Sequence, residues 1–250
     1  MQKSSRPLLA LCGTLVIACF GVVGAASAAD YQTDSIPTLS GELRVTPINH
    51  ATFMMQFGGK TIFVDPTSQG QYAGLPKADL VLITDIHPDH MDRKALDEVK
   101  KSSTIVVAPP SVQKTINEAQ VISNGEKKTF DGIPIEAVPM YNITRGPAAG
   151  QLYHEKGRGN GYIVTLGSKR IYISGDTECT PEMKKLKNID VAFLCMNLPF
   201  TMTPQEAAEC VKAFKPKIVY PYHYKGQNTE EFAAALKGTP QVEVRLRNWY

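Results

Sequence analysis

Short apolar runs, separated by polar or glycine-rich segments, recur through the chain after residue 40. Short runs rich in Val, Ile, Leu and Tyr are typical of β-strands. Leu80-Val81-Leu82-Ile83 is apolar without alternation, which predicts a strand covered on both faces. Gly58-Gly59 between two such runs predicts a hairpin. The predicted strands cover residues 43–49, 52–57, 61–64, 80–83, 105–107, 133–138, 162–166, 171–173, 191–194 and 218–220.

Helix-start signals lie between many of these strands. Thr203-Pro204-Gln205-Glu206 combines a capping box with proline at the first helical position, and it predicts a helix to Phe214. Three further helices are predicted: one capped by Asp92 through Val99, a short one from Thr180-Pro181, and one capped by Asn228 through Leu236. Because strands and helices alternate in both halves, we expect an α/β fold with two sheets in a layered sandwich flanked by helices.

The first 28 residues have the layout of a secretory signal peptide. Lys3 and Arg6 precede an uncharged apolar run over residues 8–24, and Ala26-Ser27-Ala28 forms an A-x-A cleavage pattern. We therefore predict an exported protein, periplasmic or secreted, whose folded domain covers residues 36–250. Two alternatives stay open. Cys19 follows a lipoprotein-like sequence and is a candidate for lipidation, and the apolar run is marginal for a retained membrane anchor.

Charge and cysteine content exclude some kinds of protein. The formal net charge is +3, and the leader carries two of these charges, which leaves the rest of the chain near neutral. Binding to nucleic acid or to an anionic membrane surface is therefore not expected. Beyond the leader stand Cys179, Cys195 and Cys210, an odd number that cannot form a complete disulfide framework. Cys195 is expected to be a buried apolar residue, and Cys179 is kept as a minor alternative metal ligand.

The candidate chemistry is concentrated directly after the strand at 80–83. Asp85, His87, Asp89 and His90 place four potential metal donors within six positions, in a chain that has five histidines. In an extended segment residues 85, 87 and 89 project to one side. Imidazole nitrogen and carboxylate oxygen suit Zn²⁺ and neighbouring first-row metals. A metal site is therefore favoured over the alternative of surface histidines with capping aspartates.

Two further donors also follow predicted strands. Asp176 comes after the strand at 171–173, and His223 comes after the strand at 218–220. Each is weak evidence alone, because an aspartate after a glycine is common in turns. If the three strands are neighbours, their ends converge at one edge of the fold. Residues 141–160 form a long segment without a predicted element, which is usually functional or mobile in a compact domain.

These segments resemble the metallo-β-lactamase-fold hydrolases. Asp85-Ile86-His87-Pro88-Asp89-His90 is similar to the H-x-H-x-D-H signature, with Asp85 in place of the first histidine. Asp176 matches the aspartate that bridges two metals, and His223 matches the last histidine ligand. Val64-Asp65-Pro66 and Phe200-Thr201-Met202-Thr203 resemble a branch with lactonase-like and phospholipase-like members. The resemblance covers nearly all of the chain after the leader, and it implies a four-layer αββα sandwich with the site along one edge.

The chain departs from the family pattern at the first metal site. Asn142 stands where a third histidine is expected, and with Asp85 this makes the site rich in oxygen, which favours Mn²⁺ or weakens zinc binding. The second site, Asp89, His90 and His223 with the shared Asp176, is intact by this matching. We hypothesise that His154 replaces the missing ligand at the first site, with the alternative that His154 is a surface loop residue. His50 is expected either near the pocket in a supporting role or as an ordinary buried histidine.

The resemblance implies metal-assisted hydrolysis of a small-molecule ester, lactone, amide or phosphodiester. One or two Zn²⁺ ions are expected, with Mn²⁺ or another first-row divalent metal as an alternative. Asp89 is the candidate for orienting the nucleophile or accepting a proton, besides ligating the metal. The alternatives are a non-catalytic exported metal-binding module and a true β-lactamase. A nuclease is disfavoured by the neutral charge, and a serine hydrolase by the lack of a G-x-S-x-G motif.

Overall fold

The computed structural model describes Met1 and residues 31–250, so the predicted signal peptide and Cys19 lie outside the described residues. The first half contains β1 (Asp34–Thr38), β2 (Gly41–Asn49), β3 (Thr52–Phe57), β4 (Lys60–Val64), β5 (Ala78–Leu82), α1 (Arg93–Val99), β6 (Lys100–Ala108), α2 (Pro110–Gln113) and β7 (Gln120–Val121). The second half contains β8 (Lys127–Phe130), β9 (Ile133–Met140), β10 (Gly159–Leu166), β11 (Lys169–Ile173), α3 (Pro181–Lys184), β12 (Val191–Cys195), α4 (Pro204–Phe214), β13 (Ile218–Tyr222), α5 (Thr229–Ala235) and β14 (Glu243–Val244).

The strands form two mixed sheets of seven strands each. Their orders are β1-β2-β3-β4-β5-β6-β7 and β14-β13-β12-β11-β10-β9-β8. In the first sheet β1 to β4 pair antiparallel, and β4 to β7 pair parallel. The second sheet repeats this division, with antiparallel pairing from β8 to β11 and parallel pairing from β11 to β14. The predicted pair of mixed sheets is confirmed.

The main core lies between the two sheets. Phe53 of β3 stacks on Phe193 of β12, with 4.1 Å between the ring centroids. Burial on both faces of the first sheet is clearest at β5, where Leu80 and Leu82 face the main core. Val81 and Ile83 face a second core, which is built with α1 and α2. The apolar run at 80–83 is thus covered on both sides, and the layers follow the order helix, sheet, sheet, helix.

The predicted helix starts are present, whereas several short strands were missed. Thr203 forms the full capping box of α4, and the Asp92, Thr180 and Asn228 side chains each accept a backbone N–H at the start of a helix. The strands that the apolar pattern did not predict are β1, β7, β8 and β14. All four are edge strands. An edge strand needs less apolar sequence than a central one, and Lys127-Lys128-Thr129 in β8 is exposed.

Cys179 and Cys210 form a disulfide, with 5.7 Å between their Cα atoms. The bond joins the segment after β11 to α4. The minor prediction that Cys179 is a metal ligand is therefore wrong, because its sulfur is bonded to Cys210. Cys195 is free and buried, as expected. Among the described residues, no helix is both long and apolar enough to cross a membrane.

Loss of the Cys179–Cys210 bond should lower the free energy of unfolding. The two cysteines are 31 residues apart. Closing a loop of that size in the unfolded chain contributes about 2–4 kcal/mol to stability. Chemical denaturation of Cys210→Ser, compared with the native chain with and without dithiothreitol, measures the loss. Dithiothreitol should not change the stability of the variant, and an equal effect on both proteins would contradict the assignment.

Candidate metal centre

The segment after β5 bends sharply and divides its four donors between two groups. The backbone N–H groups of His90 and Met91 donate to the carbonyl oxygen of His87, at 3.0 and 2.8 Å. This turn rotates Asp89 away from Asp85 and His87. The expectation that residues 85, 87 and 89 share one side is wrong, because the chain bends at Ile86 and His87 and then turns, so Asp89 joins a different group of donors from Asp85 and His87.

Four of the predicted donors meet at the edge where the two sheets come together. Asp89, His90, Asp176 and His223, here called the second cluster, offer ligand atoms that all lie within 4.8 Å of one another. His90 Nε2 is 3.3 Å from Asp176 Oδ2, and His223 Nε2 is 3.4 Å from Asp176 Oδ1. His223 Nε2 is also 3.3 Å from Asp89 Oδ2. The ends of β5, β11 and β13 therefore converge, although the three strands are not neighbours: β5 lies in one sheet, and β11 and β13 lie in the other.

The orientation of His90 is set by a buried carboxylate. Asp65 accepts hydrogen bonds from the Thr84 backbone N–H at 2.8 Å and from its hydroxyl at 2.6 Å. Its Oδ2 lies 2.8 Å from His90 Nδ1. A proton on Nδ1 that is donated to Asp65 leaves the Nε2 lone pair facing the second cluster. In the sequence, Asp65 stands out only within Val64-Asp65-Pro66, which resembles a branch of the family, and its role in orienting His90 was not predicted.

The second cluster fits a divalent cation. Its buried His90 Nε2, His223 Nε2 and Asp176 Oδ1 have no hydrogen-bond partner within the described part of the chain. Burial alone would lower the pKa of His90, but the carboxylates of Asp176 and Asp65 raise it well above the usual value. Burial raises the pKa of Asp176, but His223 and His90 hold it well below its usual range. Ring nitrogens and a carboxylate oxygen that converge without hydrogen-bond partners, where the carboxylates favour a positive charge, are the donor set that a metal ion requires.

Asp85, His87 and His154, here called the first cluster, also lie close together. His87 Nδ1 is 3.1 Å from Asp85 Oδ2. His154 Nε2 lies 3.9 Å from that oxygen and 3.4 Å from Asp176 Oδ2. The segment 141–160 thus folds back and brings His154 to the centre. The alternative of a surface loop histidine is wrong, since His154 is buried. Whether His154 ligates a metal stays a prediction.

Asn142 orients His154 instead of facing the clusters with its own oxygen. Its Oδ1 accepts hydrogen bonds from the His154 backbone N–H at 2.8 Å and from His154 Nδ1 at 2.6 Å. Its amide nitrogen donates to Glu178 and to the Phe200 carbonyl oxygen. The side chain at the position of the missing histidine is therefore used to direct Nε2 of His154 inward.

Arg158 is a member of the centre that sequence reasoning missed. Its Nε donates to Asp85 Oδ1 at 3.1 Å, and its Nη2 donates to Asp85 Oδ2 at 2.7 Å. Nη2 is also 3.4 Å from His87 Nε2. Asp85 is fully buried, and both of its oxygens accept hydrogen bonds from Arg158, whose guanidinium group is permanently charged. The first cluster therefore fits a metal ion less well than the second cluster does. The sequence carries no signal for this pair, because 73 positions separate its members.

His50 supports Asp89 from the opposite side. Its Nε2 is 3.2 Å from Asp89 Oδ2, and its Nδ1 is 2.6 Å from the Tyr250 hydroxyl. Burial lowers the pKa of His50, so the ring is neutral, donates to Asp89 and accepts from Tyr250. Burial raises the pKa of Asp89, but His223 and His50, whose Nε2 atoms lie 3.3 and 3.2 Å from Asp89 Oδ2, hold it well below its usual range. The supporting role expected for His50 agrees with this geometry.

A cavity of about 260 Å³ opens onto both clusters. It is lined by His87, Pro88, Asp89, Tyr153, His154, Asp176 and Phe200. The rings of Tyr153 and Phe200 meet edge to face, with 4.9 Å between their centroids, and form an aromatic wall. A larger cavity of about 320 Å³ lies beside Tyr250 and contacts neither cluster.

Known proteins share this fold and much of this sequence. Residues 44–223 match the Beta-lactamase superfamily domain. A UPF0173 metal-dependent hydrolase of Pelotomaculum thermopropionicum is 31% identical over 222 residues, which cover 82% of this chain and 96% of the relative. A crystal structure from Parabacteroides distasonis, described as a candidate metal-dependent hydrolase, superimposes with a TM-score of 0.82 at 45% identity, covering 87% of this chain and 98% of the other.

Igni18, a metallo hydrolase of Ignicoccus hospitalis, is a further structural relative. Its TM-score is 0.66 at 25% identity, and the match covers 82% of this chain and 95% of Igni18. These matches confirm the expected superfamily and the sandwich fold, while the lactonase-like or phospholipase-like branch stays a prediction. The chain belongs to the β-lactamase superfamily, within its UPF0173 family of metal-dependent hydrolases.

Proposed function

We propose that the second cluster binds one catalytic divalent ion, with Zn²⁺ favoured and Mn²⁺ as the alternative, for the hydrolysis of a small-molecule substrate. The observation that carries the proposal is the convergence of His90 Nε2, His223 Nε2 and Asp176 Oδ1, three buried atoms without a hydrogen-bond partner among the residues that the structure describes. Two imidazoles and two carboxylates form a donor set that suits zinc. A bound ion of this kind lowers the pKa of its water from 15.7 to about 7, which supplies hydroxide at neutral pH.

Asp89 is proposed to orient the attacking water and to accept its proton. Both carboxylates line the cavity, but the Asp89 side chain is 35% exposed and the Asp176 side chain only 4%, so Asp89 is the more accessible of the two. His50 and His223 both contact Asp89 Oδ2, whereas Asp89 Oδ1 lies 3.9 Å from His90 Nε2. His50 thus positions Asp89 without being a ligand of the second cluster.

The cavity favours an uncharged substrate with an apolar group beside the bond that is cleaved. Tyr153 and Phe200 provide the apolar wall, and Phe200 is 41% exposed. Arg158 is committed to Asp85, so its charge is not free for a phosphate group. An ester, lactone or amide is therefore preferred to a phosphodiester. The open cavity also argues against a metal-storage module, which would close its site.

Export is part of the proposal. The layout of residues 1–28 supports cleavage after Ala28, with lipidation at Cys19 as the alternative. The Cys179–Cys210 disulfide supports an oxidising compartment independently of the leader.

Removal of the metal should abolish hydrolysis, and Asp176→Asn should do the same. Asp176 contacts both histidines of the second cluster, so its loss should weaken metal binding by ~100-fold or more. Metal analysis by mass spectrometry and ester hydrolysis before and after chelation provide the measurement. Asp190→Asn, a buried aspartate paired with Lys217 outside the centre, is the control. Full activity in a metal-free preparation would contradict the proposal.

Loss of His50 should slow catalysis while leaving the metal bound. Without its hydrogen bond Asp89 loses orientation, so kcat/KM of His50→Ala should fall ~10–100-fold. Tyr250→Phe, which keeps the ring of Tyr250 but not its hydroxyl, should have a smaller effect. Tyr31→Phe, whose hydroxyl contacts the Gln71 backbone, is the matched control. If His50→Ala loses its metal as completely as Asp176→Asn does, His50 does more than position Asp89.

Phe200→Ala should weaken binding of substrates with a large apolar group. Part of the aromatic wall is removed, so KM for a phenyl or long-chain ester should rise roughly 10-fold, while KM for an acetyl ester should change little. Ile143→Ala is the control, because Ile143 is 48% exposed but does not line this cavity. Equal changes in KM for both esters would contradict the proposed substrate preference.

A further inference from the structure

The two clusters differ in how their donor atoms are engaged. In the second cluster, buried ring nitrogens and a carboxylate oxygen have no hydrogen-bond partner among residues 31–250. In the first cluster, both oxygens of Asp85 accept from Arg158, and both ring nitrogens of His87 lie within 3.4 Å of Asp85 or Arg158. Only the second cluster therefore presents atoms that still need a cation.

Arg158 is held in place by contacts besides Asp85. Its Nη1 donates to the Tyr153 carbonyl oxygen at 2.9 Å, and its own carbonyl oxygen accepts from the Ser111 hydroxyl at 2.6 Å. Its side chain is 20% exposed, while that of Asp85 is not exposed at all. A paired, planar guanidinium in this position is a fixed part of the centre, unlike a surface ion pair that forms and breaks in water.

A guanidinium at this position opposes a divalent ion. A metal bound by Asp85 and His87 would have to share Asp85 Oδ2 with Arg158 Nη2, which is already at 2.7 Å. Two positive charges at such a distance repel strongly in a site shielded from water. The buried carboxylate of Asp85 also has no need of a metal, because Arg158 already compensates its charge.

We infer that Arg158 takes the place of the metal ion at the first cluster, so that the centre binds a single divalent ion, at the second cluster. The inference rests on the proposed metal centre and deepens it. Arg158 is a positioning residue that keeps Asp85 and His87 fixed. His87 and His154 then line the cavity with imidazole groups that hold no metal ion, on the side where a two-metal centre would have its other ion.

Metal titration tests the inference with Zn²⁺ and Mn²⁺ as the probes. The native protein should bind one equivalent tightly, and Arg158→Ala should bind a second equivalent at least ~10-fold more tightly than any second ion in the native protein. Electron paramagnetic resonance of Mn²⁺ should change from an isolated-ion signal in the native protein to a spin-coupled signal in Arg158→Ala. Arg158→Lys, which keeps the charge, should still bind one ion.

Matched variants separate this effect from a general loss of structure. Arg170→Ala removes an arginine paired with Glu136, at the end of β11 away from Asp176, and should leave the stoichiometry at one. Asp85→Asn in the Arg158→Ala background should remove the second equivalent. If Arg158→Ala does not fold, metal titration of the single variant Asp85→Asn tests the inference. It should keep one ion with unchanged affinity, and loss of that ion would overturn the inference.

The outcomes distinguish this inference from the proposed function. Two tightly bound ions in the native protein would overturn the inference while supporting the metal centre. A single ion in both the native protein and a folded Arg158→Ala variant would also overturn it. No bound ion in the native protein would overturn the proposed function, and the inference with it.

Discussion

The burial of carboxylates where the two sheets meet is the constraint on which this centre depends. Asp65, Asp85 and Asp176 are nearly or fully inaccessible to water. A buried carboxylate is strongly destabilising unless a positive group or several hydrogen bonds compensate it. Each of the three is compensated differently. Asp65 is held by Thr84 and His90, Asp85 by Arg158, and Asp176 by histidines that still have free ring nitrogens.

This difference in compensation explains the chemistry that the centre can perform. Where a guanidinium completes the charge balance, we infer a rigid site that binds no metal ion. Where imidazoles face ionised carboxylates, the proposed divalent ion would complete the charge balance, and the adjoining cavity gives a substrate access to it. We thus assign metal binding to the second cluster and substrate positioning to the first cluster, at the edge where the two sheets meet. The Tyr153 and Phe200 rings extend the apolar side of that edge.

The scaffold fixes this arrangement through contacts between the sheets. The His223 backbone N–H donates to the His50 carbonyl oxygen at 3.1 Å, and the two rings contact each other at an interplanar angle of 35°, with 3.7 Å between centroids. This contact links the β2–β3 turn of one sheet to the end of β13 in the other. The Cys179–Cys210 disulfide ties the segment after Asp176 to α4. The donors therefore come from segments that neighbouring layers hold in place.

The sequence by itself determined the central strands, the capped helices and the donors at 85–90, 176 and 223, because these features follow from local periodicity, capping and spacing. It also singled out His154, although the reason for its position, the bond to Asn142, is visible only in the fold. Tertiary structure alone decided the edge strands, the Asp85–Arg158 pair, the His50–Tyr250 contact and the disulfide. Each joins residues that are distant along the chain or lie at a sheet edge, and no local pattern specifies such pairs. Whether a buried carboxylate meets a guanidinium or a free imidazole depends on which distant segment packs against it.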